Sequence, residues 1–354
     1  MVWIWFAFFG IVGLLLINHF GLPEEPLPMP AAPEQTSLIE NAQPYRYEGS
    51  SGVAFLICHG YGGSPFNTRP LGKYLHSLGH TAIGVLLPGH GTDIKDMQQT
   101  RFYHWEEYLE RRYLKERSRY RQIFLVGFSM GGTVSLRVAA KNADSFRPAG
   151  LITISSPVFF NGFYNGKLII HQYTLMFTGL LKIFKPLLTV GGKRPVSTEK
   201  LNPWVGYRYT YALDALHSFK RAMPLVRKGL PRVTVPYCSI MAANDRTVSA
   251  ENQAYIYNNV NSREKRALMF ILPPDMTSMH SLLTHKRVNQ RVFRYIHSFI
   301  EDTLHDQRRA PQFQQKRGFW SQLRGWLGVG SRRGERDLLQ ARPRLGRRSP
   351  DAKS

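Results

Sequence analysis

The sequence QIFLVGFSMGG, residues 122–132, decides the fold. Its first five residues form an apolar, β-rich run, and a helical pattern follows over residues 131–142. Between them lies G-x-S-x-G, centred on Ser129, which is typical of a sharp turn from a strand into a helix, with glycines where no Cβ fits. Such a turn exposes the serine hydroxyl at the helix N-terminus, where the partial positive charge favours a developing anion. We therefore take Ser129 as the candidate nucleophile.

Strands and helices alternate along the chain on both sides of this motif. Apolar, β-rich runs occupy residues 53–58, 81–87, 122–126, 150–155, 235–241 and 266–272. Helical patterns lie between them, near residues 67–79, 101–118, 131–142, 250–259 and 285–303. This alternation predicts an α/β fold with a mostly parallel central sheet flanked by helices, in which ligands bind at the carboxyl ends of the strands.

One interval breaks the alternation. Residues 157–231 contain no clear strand. Because an unstructured loop of this length is uncommon, we predict a helical cap inserted into the fold. Within it, residues 168–190 are apolar and aromatic, with Lys182 and Lys185 as the only lysines. That run fits a buried pair of cap helices, or alternatively a surface that binds lipid or an acyl chain.

A serine nucleophile needs a histidine base and an acid, and the expected chain order is nucleophile, acid, histidine. Asp245 lies in the loop after the fifth predicted strand, and His280 lies in the loop after the sixth. Both loops open on the same sheet edge as Ser129, so Asp245 would orient His280, which would move the serine proton. Alternatives remain open: Asp245 could instead cap the next helix, Asp275 could be the acid, and His285 could be the base.

The oxyanion formed during acyl transfer needs two hydrogen-bond donors. The backbone N–H of Met130, directly after the nucleophile, would be one donor. The N–H of Tyr61, in the loop HGYGG at residues 59–63, would be the other. That loop has neither the G-x-G-x-x-G spacing nor the lysine of phosphate-binding loops, so we expect no nucleotide.

The other histidines and the two cysteines predict no cofactor. We interpret His59, His80 and His90 as hydrogen-bonded loop or surface residues, and no cluster of His, Asp and Glu has the spacing of a metal site. Cys58 and Cys238 lie in apolar runs and are too few for a disulfide scaffold or a zinc site, so we interpret them as buried thiols. We therefore expect neither a metal nor another cofactor.

Three motifs together resemble a known family. They are LICHGYGGSP, LPGHGT and GFSMGG, at residues 56–65, 87–92 and 127–132. With the later Asp and His, they resemble the bacterial carboxylesterase and monoacylglycerol lipase group of the α/β-hydrolase superfamily over residues 50–303. The chain departs from that group at His285, where an acidic residue is common, and in its long, basic cap, so the size of the substrate is not carried over.

The resemblance has implications for fold and site. It implies an α/β-hydrolase fold with a cap over an acyl pocket. It also implies that Ser129, Asp245 and His280 form a catalytic triad. The backbone amides of Tyr61 and Met130 would then form the oxyanion hole.

Both ends of the chain lie outside the resemblance. The N-terminal residues are apolar and carry no charged side chain before Glu24, which predicts a transmembrane anchor because about 20 apolar residues can cross a bilayer. A cleaved signal peptide, with Ala31 and Ala32 near the cut, is the alternative, although this start has no Lys or Arg. The predicted segments are an anchor, a proline-rich tether, the hydrolase domain and a basic tail, at residues 1–21, 22–49, 50–304 and 305–354.

The net charge of +23 favours an anionic partner. In the tail, residues 319–327 place Phe, Trp and Leu side chains on one helical face among basic residues, which predicts a second contact with membrane lipids. A disordered basic tail is the alternative. We do not expect a nucleic-acid partner.

These observations together predict a membrane-tethered serine hydrolase. It would cleave acyl esters, such as monoacylglycerol-like lipids, through an acyl-enzyme, and it would lie at the bacterial inner membrane, on a side that the sequence does not decide. A lysophospholipase, a thioesterase or an acyltransferase with the same site is the near alternative. A catalytically inactive scaffold that binds membrane or nucleic acid is the alternative from a different class.

Overall fold

The computed structural model describes residues 2–21, 26–30, 38–164, 166–191, 196–273 and 279–326, and it describes their side chains except at residues 2–4, 173–174, 196–198 and 308–326. The described residues up to Glu301 form one compact unit, and those from Asp302 onward belong to a second. The strands are β1 (Tyr45–Tyr47), β2 (Val53–Cys58), β3 (Thr81–Val85), β4 (Gln122–Phe128), β5 (Gly150–Ile154), β6 (Asn161–Tyr164), β7 (Lys167–Ile170), β8 (Leu187–Thr189), β9 (Thr210–Ala212), β10 (Tyr237–Ala242) and β11 (Lys265–Phe270).

In the described ranges, the helices include the five predicted in the main fold. The described helices are α1 (Val2–Phe20), α2 (Arg69–Ser77), α3 (Ile94–Gln98), α4 (Phe102–Arg117), α5 (Met130–Lys141), α6 (Thr178–Phe184), α7 (Val196–Leu201), α8 (Leu213–Gly229), α9 (Glu251–Asn259) and α10 (Asn289–Trp326). Strand β1 and helix α3 were not predicted, since each is too short to show a periodic pattern.

Among the residues that the structure describes, the central sheet has seven strands in the order β1-β3-β2-β4-β5-β10-β11. Strand β1 is antiparallel to β3, and the other pairs are parallel, so the prediction of a mostly parallel sheet is confirmed. Strands β2, β3, β5 and β10 are buried along their whole length, which is why they read as continuous apolar runs. The carboxyl ends of β4, β10 and β11 lie on one edge, and Ser129, Asp245 and His280 follow these ends.

Helices cover both faces of the sheet. Helices α4, α5 and α8 pack together on one face. On β2, Leu56 belongs to the core on that face, whereas its neighbour Phe55 points to the other face and stacks on Phe124, with 5.0 Å between ring centroids. Helices α2 and α10 cover this second face and meet through Tyr74 and Phe293, whose ring centroids are 5.3 Å apart.

The cap is not wholly helical, so that part of the prediction is wrong. Beside α6, α7 and α8 it contains an antiparallel hairpin, β6–β7, and a second two-stranded antiparallel sheet, β8–β9. In β7, Ile169 is buried while Leu168 and Ile170 are exposed, an alternation typical of a strand. The turn of this hairpin includes Gly166 at φ +75°, a conformation that glycine adopts without strain. The apolar run 168–190 therefore divides into strands, a 3-10 turn and one short helix.

The predicted membrane anchor requires a correction. In the part of the chain that the structure describes, no helix combines the length and the apolarity needed to cross a membrane. Helix α1 has 19 residues, and its last turn contains Asn18, whose side chain donates to the carbonyl of Met176 at 2.6 Å and accepts from the amide of Leu180 at 3.3 Å. This end of α1 thus makes polar contacts with the cap. The predicted transmembrane anchor over residues 1–21 and the predicted membrane location are therefore wrong, and the predicted lipid contact through this helix is not supported.

The predicted lipid contact of the tail falls outside what the structure describes. The backbone of α10 is helical as far as Trp326, but the side chains from residue 308 onward, and all residues after 326, are not described. The contact of residues 319–327 with lipid stays a prediction.

Candidate active site

Ser129 lies at the sharp turn between β4 and α5. Its backbone has φ +54° and ψ −124°, an unusual conformation for a residue with a side chain, and its amide donates to the carbonyl of Ile154 at 2.8 Å. The residue is 9% exposed at the carboxyl edge of the sheet. The strand–turn–helix context of G-x-S-x-G thus holds this residue in a strained but hydrogen-bonded position.

The glycines around Ser129 are sterically required. A Cβ at Gly127 would lie 2.3 Å from the backbone of Gly132, and a Cβ at Gly131 would lie 2.4 Å from the carbonyl oxygen of Cys58. Both distances are shorter than any real Cβ contact. The turn therefore packs its backbone against β2 as well as against itself, as the motif predicts.

His280 and Asp245 lie beside Ser129 in one hydrogen-bonded chain. His280 Nε2 is 2.9 Å from Ser129 Oγ, and His280 Nδ1 is 2.7 Å from Asp245 Oδ2. Since a carboxylate only accepts, Nδ1 carries the proton and Nε2 is left to accept the serine hydroxyl. The other carboxylate oxygen, Oδ1, accepts the amides of Thr247 at 2.7 Å and Val248 at 3.1 Å. The structure thus brings the three predicted side chains together.

The alternatives for acid and base can be compared with this arrangement. Asp275 lies outside the described residues. His285 is fully buried in the turn before α10, where its Nδ1 accepts the amide of Arg287 at 3.3 Å. Asp245 does cap a turn, through Oδ1, but its Oδ2 faces His280, so the capping role and the contact with histidine occur together.

The two predicted oxyanion donors flank the same serine. The loop containing Tyr61 lies against Ser129, since a Cβ on Gly60 would be 3.0 Å from the serine Cβ. Within the described residues, neither the amide of Tyr61 nor that of Met130 donates to a protein acceptor. Two backbone N–H groups beside a strained serine are the donors that an acyl-transfer oxyanion requires.

His59 makes hydrogen bonds that hold the loop containing Tyr61 in place. Its Nδ1–H donates to the carbonyl of Gly60 at 2.9 Å, and its Nε2 accepts the amide of Leu87 at 3.1 Å. Burial lowers the pKa of His59 to about 4, so the ring is neutral near pH 7 and keeps both hydrogen bonds. The Gly60 carbonyl belongs to the same peptide unit as the Tyr61 amide. Its hydrogen bond to His59 therefore orients that amide in the opposite direction.

His80 and His90, the other two histidines interpreted as hydrogen-bonded, also have structural contacts. His90 Nδ1 lies 3.1 Å from the carbonyl of Pro88, and His80 Nδ1 lies 2.9 Å from the hydroxyl of Ser51. Burial lowers the pKa of both histidines. In the described part of the chain, no three His, Cys, Asp or Glu side chains are grouped so as to hold a metal ion.

A cavity of about 410 Å³ opens above Ser129 and His280. The cap supplies most of its wall, which is largely apolar and aromatic and includes Phe160, Leu175, Leu188, Trp204, Leu216 and Phe219. Such a cavity is in the size range of small-molecule sites and suits an apolar chain better than a charged group.

Sequence reasoning missed the cap residues that contact the site. Gln172 Nε2 donates to the carbonyls of Arg246 and Thr247, both at 3.1 Å, and thereby joins the cap to the Asp245 loop. Tyr207 likewise joins the cap to the Tyr61 loop, since its amide donates to the carbonyl of Gly62 at 2.7 Å. Neither residue belongs to a motif, and only the glycine at position 206 hints at a close approach of two backbones.

The sequence is similar to a known protein family and to characterised enzymes. A family model described as "Serine aminopeptidase, S33" matches residues 50–271, more than half of the chain. The thermostable monoacylglycerol lipase of Bacillus sp. (strain H-257) is 28% identical over 240 residues, which cover 66% of this chain and 86% of that protein. The carboxylesterase of Bacillus subtilis (strain 168) is 23% identical over 230 residues, which cover 64% and 86%.

A solved structure agrees with the fold. A soluble variant of the monoglyceride lipase from Saccharomyces cerevisiae, in complex with a substrate analogue, superposes with a TM-score of 0.60 at 17% identity. The match covers 78% of this chain and 99% of that one. The chain therefore belongs to the serine aminopeptidase, S33 family of α/β-hydrolases, and it is a serine ester hydrolase.

Proposed function

We propose that this enzyme hydrolyses monoacylglycerol-like carboxylic esters, with Ser129 as nucleophile, His280 as general base and Asp245 as the acid that orients it. The observation that carries the proposal is the hydrogen-bonded chain from Ser129 Oγ through His280 to Asp245, at the base of a largely apolar cavity. An enzyme with monoacylglycerol lipase- or esterase-like activity needs both features, the first for bond cleavage and the second for the acyl chain.

The first half of the reaction forms an acyl-enzyme. His280 Nε2 takes the proton of Ser129 as Oγ attacks the ester carbonyl carbon. The resulting oxyanion accepts hydrogen bonds from the amides of Tyr61 and Met130. When the tetrahedral intermediate collapses, the C–O bond to the alcohol breaks, and the alcohol leaves with the proton from Nε2. Asp245 stabilises the imidazolium that exists between these two transfers.

The second half releases the acid. A water molecule gives its proton to His280 Nε2 and attacks the acyl carbon. The same two amides stabilise the second oxyanion, and Ser129 Oγ leaves with the proton from His280. The products are the carboxylic acid and the restored serine, so the reaction consumes one water and needs no cofactor.

The apolar cavity and the relatives support the substrate class. Two of the relatives carry the names monoacylglycerol lipase and carboxylesterase. Burying a methylene in an apolar cavity gains about 0.8 kcal/mol, so kcat/KM should rise about fourfold with each carbon that the cavity accommodates. Esters of increasing chain length should therefore be hydrolysed with increasing kcat/KM until the cavity is full.

The test combines labelling with a substrate series. A fluorophosphonate probe should label the wild-type enzyme but not Ser129→Ala, while Ser239→Ala, which removes a buried serine of β10 away from the site, should label normally. Ser129→Ala should also lose about 10⁶-fold in kcat with p-nitrophenyl esters. Residual activity within tenfold of wild type would eliminate Ser129 as the nucleophile.

A substrate panel then decides the substrate class. We expect hydrolysis of monoacylglycerol alongside the p-nitrophenyl esters. A strong preference for lysophospholipid or for an acyl thioester would replace this substrate assignment while leaving the three residue roles intact.

A further inference from the structure

The cap and the loop of the candidate oxyanion hole are joined by direct hydrogen bonds. We call residues 59–67 the oxyanion loop and residues 204–212 the cap arm. The side chain of Asn67 and the backbone of Val205 make a reciprocal pair: Nδ2 donates to the carbonyl at 3.0 Å, and Oδ1 accepts the amide at 3.1 Å. The Tyr61 hydroxyl donates to the carbonyl of Ala212 at 2.7 Å. Both ends of the cap arm are thus bonded to the oxyanion loop.

Between these two ends, the backbones touch. Gly206 has φ +141°, and a Cβ there would lie 2.1 Å from the carbonyl oxygen of Gly62 and 2.9 Å from Gly63 Cα. The next residue, Tyr207, donates its amide to that same carbonyl at 2.7 Å. Only glycine permits this approach, because any side chain at position 206 would push the oxyanion loop away.

Tyr207 also anchors the cap arm to the main fold. Its hydroxyl lies 3.0 Å from the carbonyl of Gly89 and 2.9 Å from that of Asp93, and it accepts the amide of Thr92 at 3.2 Å. Burial raises the pKa of Tyr207, so the hydroxyl stays protonated and can donate. The cap arm therefore has a fixed point outside the cap, in the loop after β3.

From these contacts we infer that the cap arm is a structural part of the oxyanion hole, in which Gly206 and Tyr207 are positioning residues that hold the amide of Tyr61 toward Ser129. The inference rests on the oxyanion role proposed for Tyr61 above. The physical reason is that a donor stabilises an oxyanion only when it is preorganised at hydrogen-bond distance, and displacement by about 1 Å costs about 10²-fold in rate. The oxyanion loop is thus held by two sets of hydrogen bonds. His59 donates to the carbonyl of Gly60, and the cap arm accepts from the hydroxyl of Tyr61.

The test compares two glycines of the cap. Gly206→Ala introduces a methyl group against the oxyanion loop. Gly166→Ala is the matched control, because Gly166 also has a positive φ, +75°, but a Cβ there has no atom within 4 Å. For each variant, kcat and KM are measured with p-nitrophenyl butyrate. Binding is measured for two inhibitors of one chain length: an alkyl trifluoromethyl ketone, which forms an oxyanion adduct with the serine, and an alkyl ether, which does not.

We expect Gly206→Ala to lower kcat by about tenfold or more, up to the roughly 10²–10³-fold that loss of one oxyanion donor costs. The inhibition constant of the ketone should weaken by a similar factor. KM and the constant of the ether should change by less than about twofold, because the apolar cavity is intact. Gly166→Ala should leave all four quantities near wild type.

A second pair of variants keeps the test decisive if Gly206→Ala does not fold. Tyr207→Phe removes only the anchoring hydroxyl, and Tyr113→Phe is its control, since it removes a hydroxyl that donates to the carbonyl of Phe146 at 2.8 Å, away from the site. We expect Tyr207→Phe to lower kcat and weaken ketone binding by about threefold to tenfold, with the ether unaffected.

Three results would overturn the inference. The first is that folded Gly206→Ala has the same kcat as Gly166→Ala, or that Tyr207→Phe has the same kcat as Tyr113→Phe. Another is equal weakening of ketone and ether, since the cap arm would then only shape the cavity. The third is unchanged ketone binding. If a fluorophosphonate fails to label Ser129 in the wild-type enzyme, the proposed function itself fails; if labelling is normal and the variants behave like their controls, only this inference fails.

Discussion

Asp245→Asn is the substitution whose effect the structure defines most closely. The oxygen at the Oδ1 position must accept two backbone amides, those of Thr247 and Val248. An asparagine at this position can satisfy them only with its amide oxygen, so its NH₂ group must face His280. That group donates, and the facing Nδ1 must then accept, which moves the imidazole proton to Nε2. In this tautomer, His280 cannot accept the proton of Ser129.

The magnitude follows from the loss of the correct tautomer. Substituting the acid of a serine–histidine–acid triad by its amide in another serine hydrolase costs about 10⁴-fold in kcat, which is about 5 kcal/mol of transition-state stabilisation. We expect the same order here, and less than the roughly 10⁶-fold loss for Ser129→Ala. Since the amide has the same shape as the carboxylate and keeps the two backbone hydrogen bonds, the melting temperature should change little.

The assay is kcat and KM for p-nitrophenyl butyrate, together with the melting temperature. Asp93→Asn is the matched control, because Asp93 Oδ1 also accepts the amide two residues on, that of Lys95 at 2.8 Å, in a loop that contains no catalytic group. It should keep wild-type kcat. An Asp245→Asn enzyme within tenfold of wild type would refute the reasoning, because either another residue would be the acid or the asparagine would not be oriented by its backbone contacts.

Three further predictions concern the histidines and the turn. His280→Ala should lose about as much kcat as removal of the nucleophile, whereas His285→Ala should stay within about tenfold in steady-state assays; the reverse order would exchange their roles. Gly131→Ala should lower the free energy of unfolding by about 1–3 kcal/mol or prevent folding, measured by urea denaturation, because its Cβ would lie 2.4 Å from the carbonyl oxygen of Cys58; an unchanged midpoint would contradict this close packing. His59 has a folded-state pKa of about 4 and an unfolded value of about 6.5, so the unfolded chain binds more protons between these pH values. The contribution of His59 to the free energy of unfolding, about 3 kcal/mol at most, should be complete above pH 6.5 and be lost as pH falls toward 4. Urea midpoints for His59→Gln should therefore fall less steeply than those of wild type as the pH is lowered over this range. Parallel curves for the two proteins would exclude a coupling between the protonation of His59 and stability.

Most of the sheet could be predicted from the sequence because four of its strands, β2, β3, β5 and β10, are buried along their whole length. A strand such as β2 then reads as an unbroken apolar run, and Gly127, near the end of β4, marks the turn to Ser129. The site could be predicted from the chain order of nucleophile, acid and histidine. Each of the three residues follows a predicted strand, and the carboxyl ends of parallel strands share one edge. Asp245 and His280 could thus be paired with Ser129 before any distance was known.

The cap and the N-terminus could not be predicted in the same way. In the cap, short strands such as β7 and β8 are apolar but only partly buried, and a run of this kind fits a helix as well as a strand. At the N-terminus, composition alone favoured a membrane span, whereas the side chain of Asn18 makes hydrogen bonds to the backbone of the cap. In both regions, the structure depends on contacts between segments that are distant in the sequence. Such contacts leave no periodic pattern in a single sequence.

The glycines of the site illustrate which close contacts can be predicted from the sequence and which cannot. The glycines at 127 and 131 could be interpreted in advance because the backbone that they approach is part of the same motif or of the adjacent strand. Gly206 serves the same steric purpose, but the carbonyl that it approaches, that of Gly62, is more than 140 positions away in the sequence. Nothing near Gly206 distinguishes it from an ordinary turn glycine. Positions informative about the oxyanion loop therefore also lie in the cap, far from the motifs in the sequence, and variants chosen from the motifs alone would not include them.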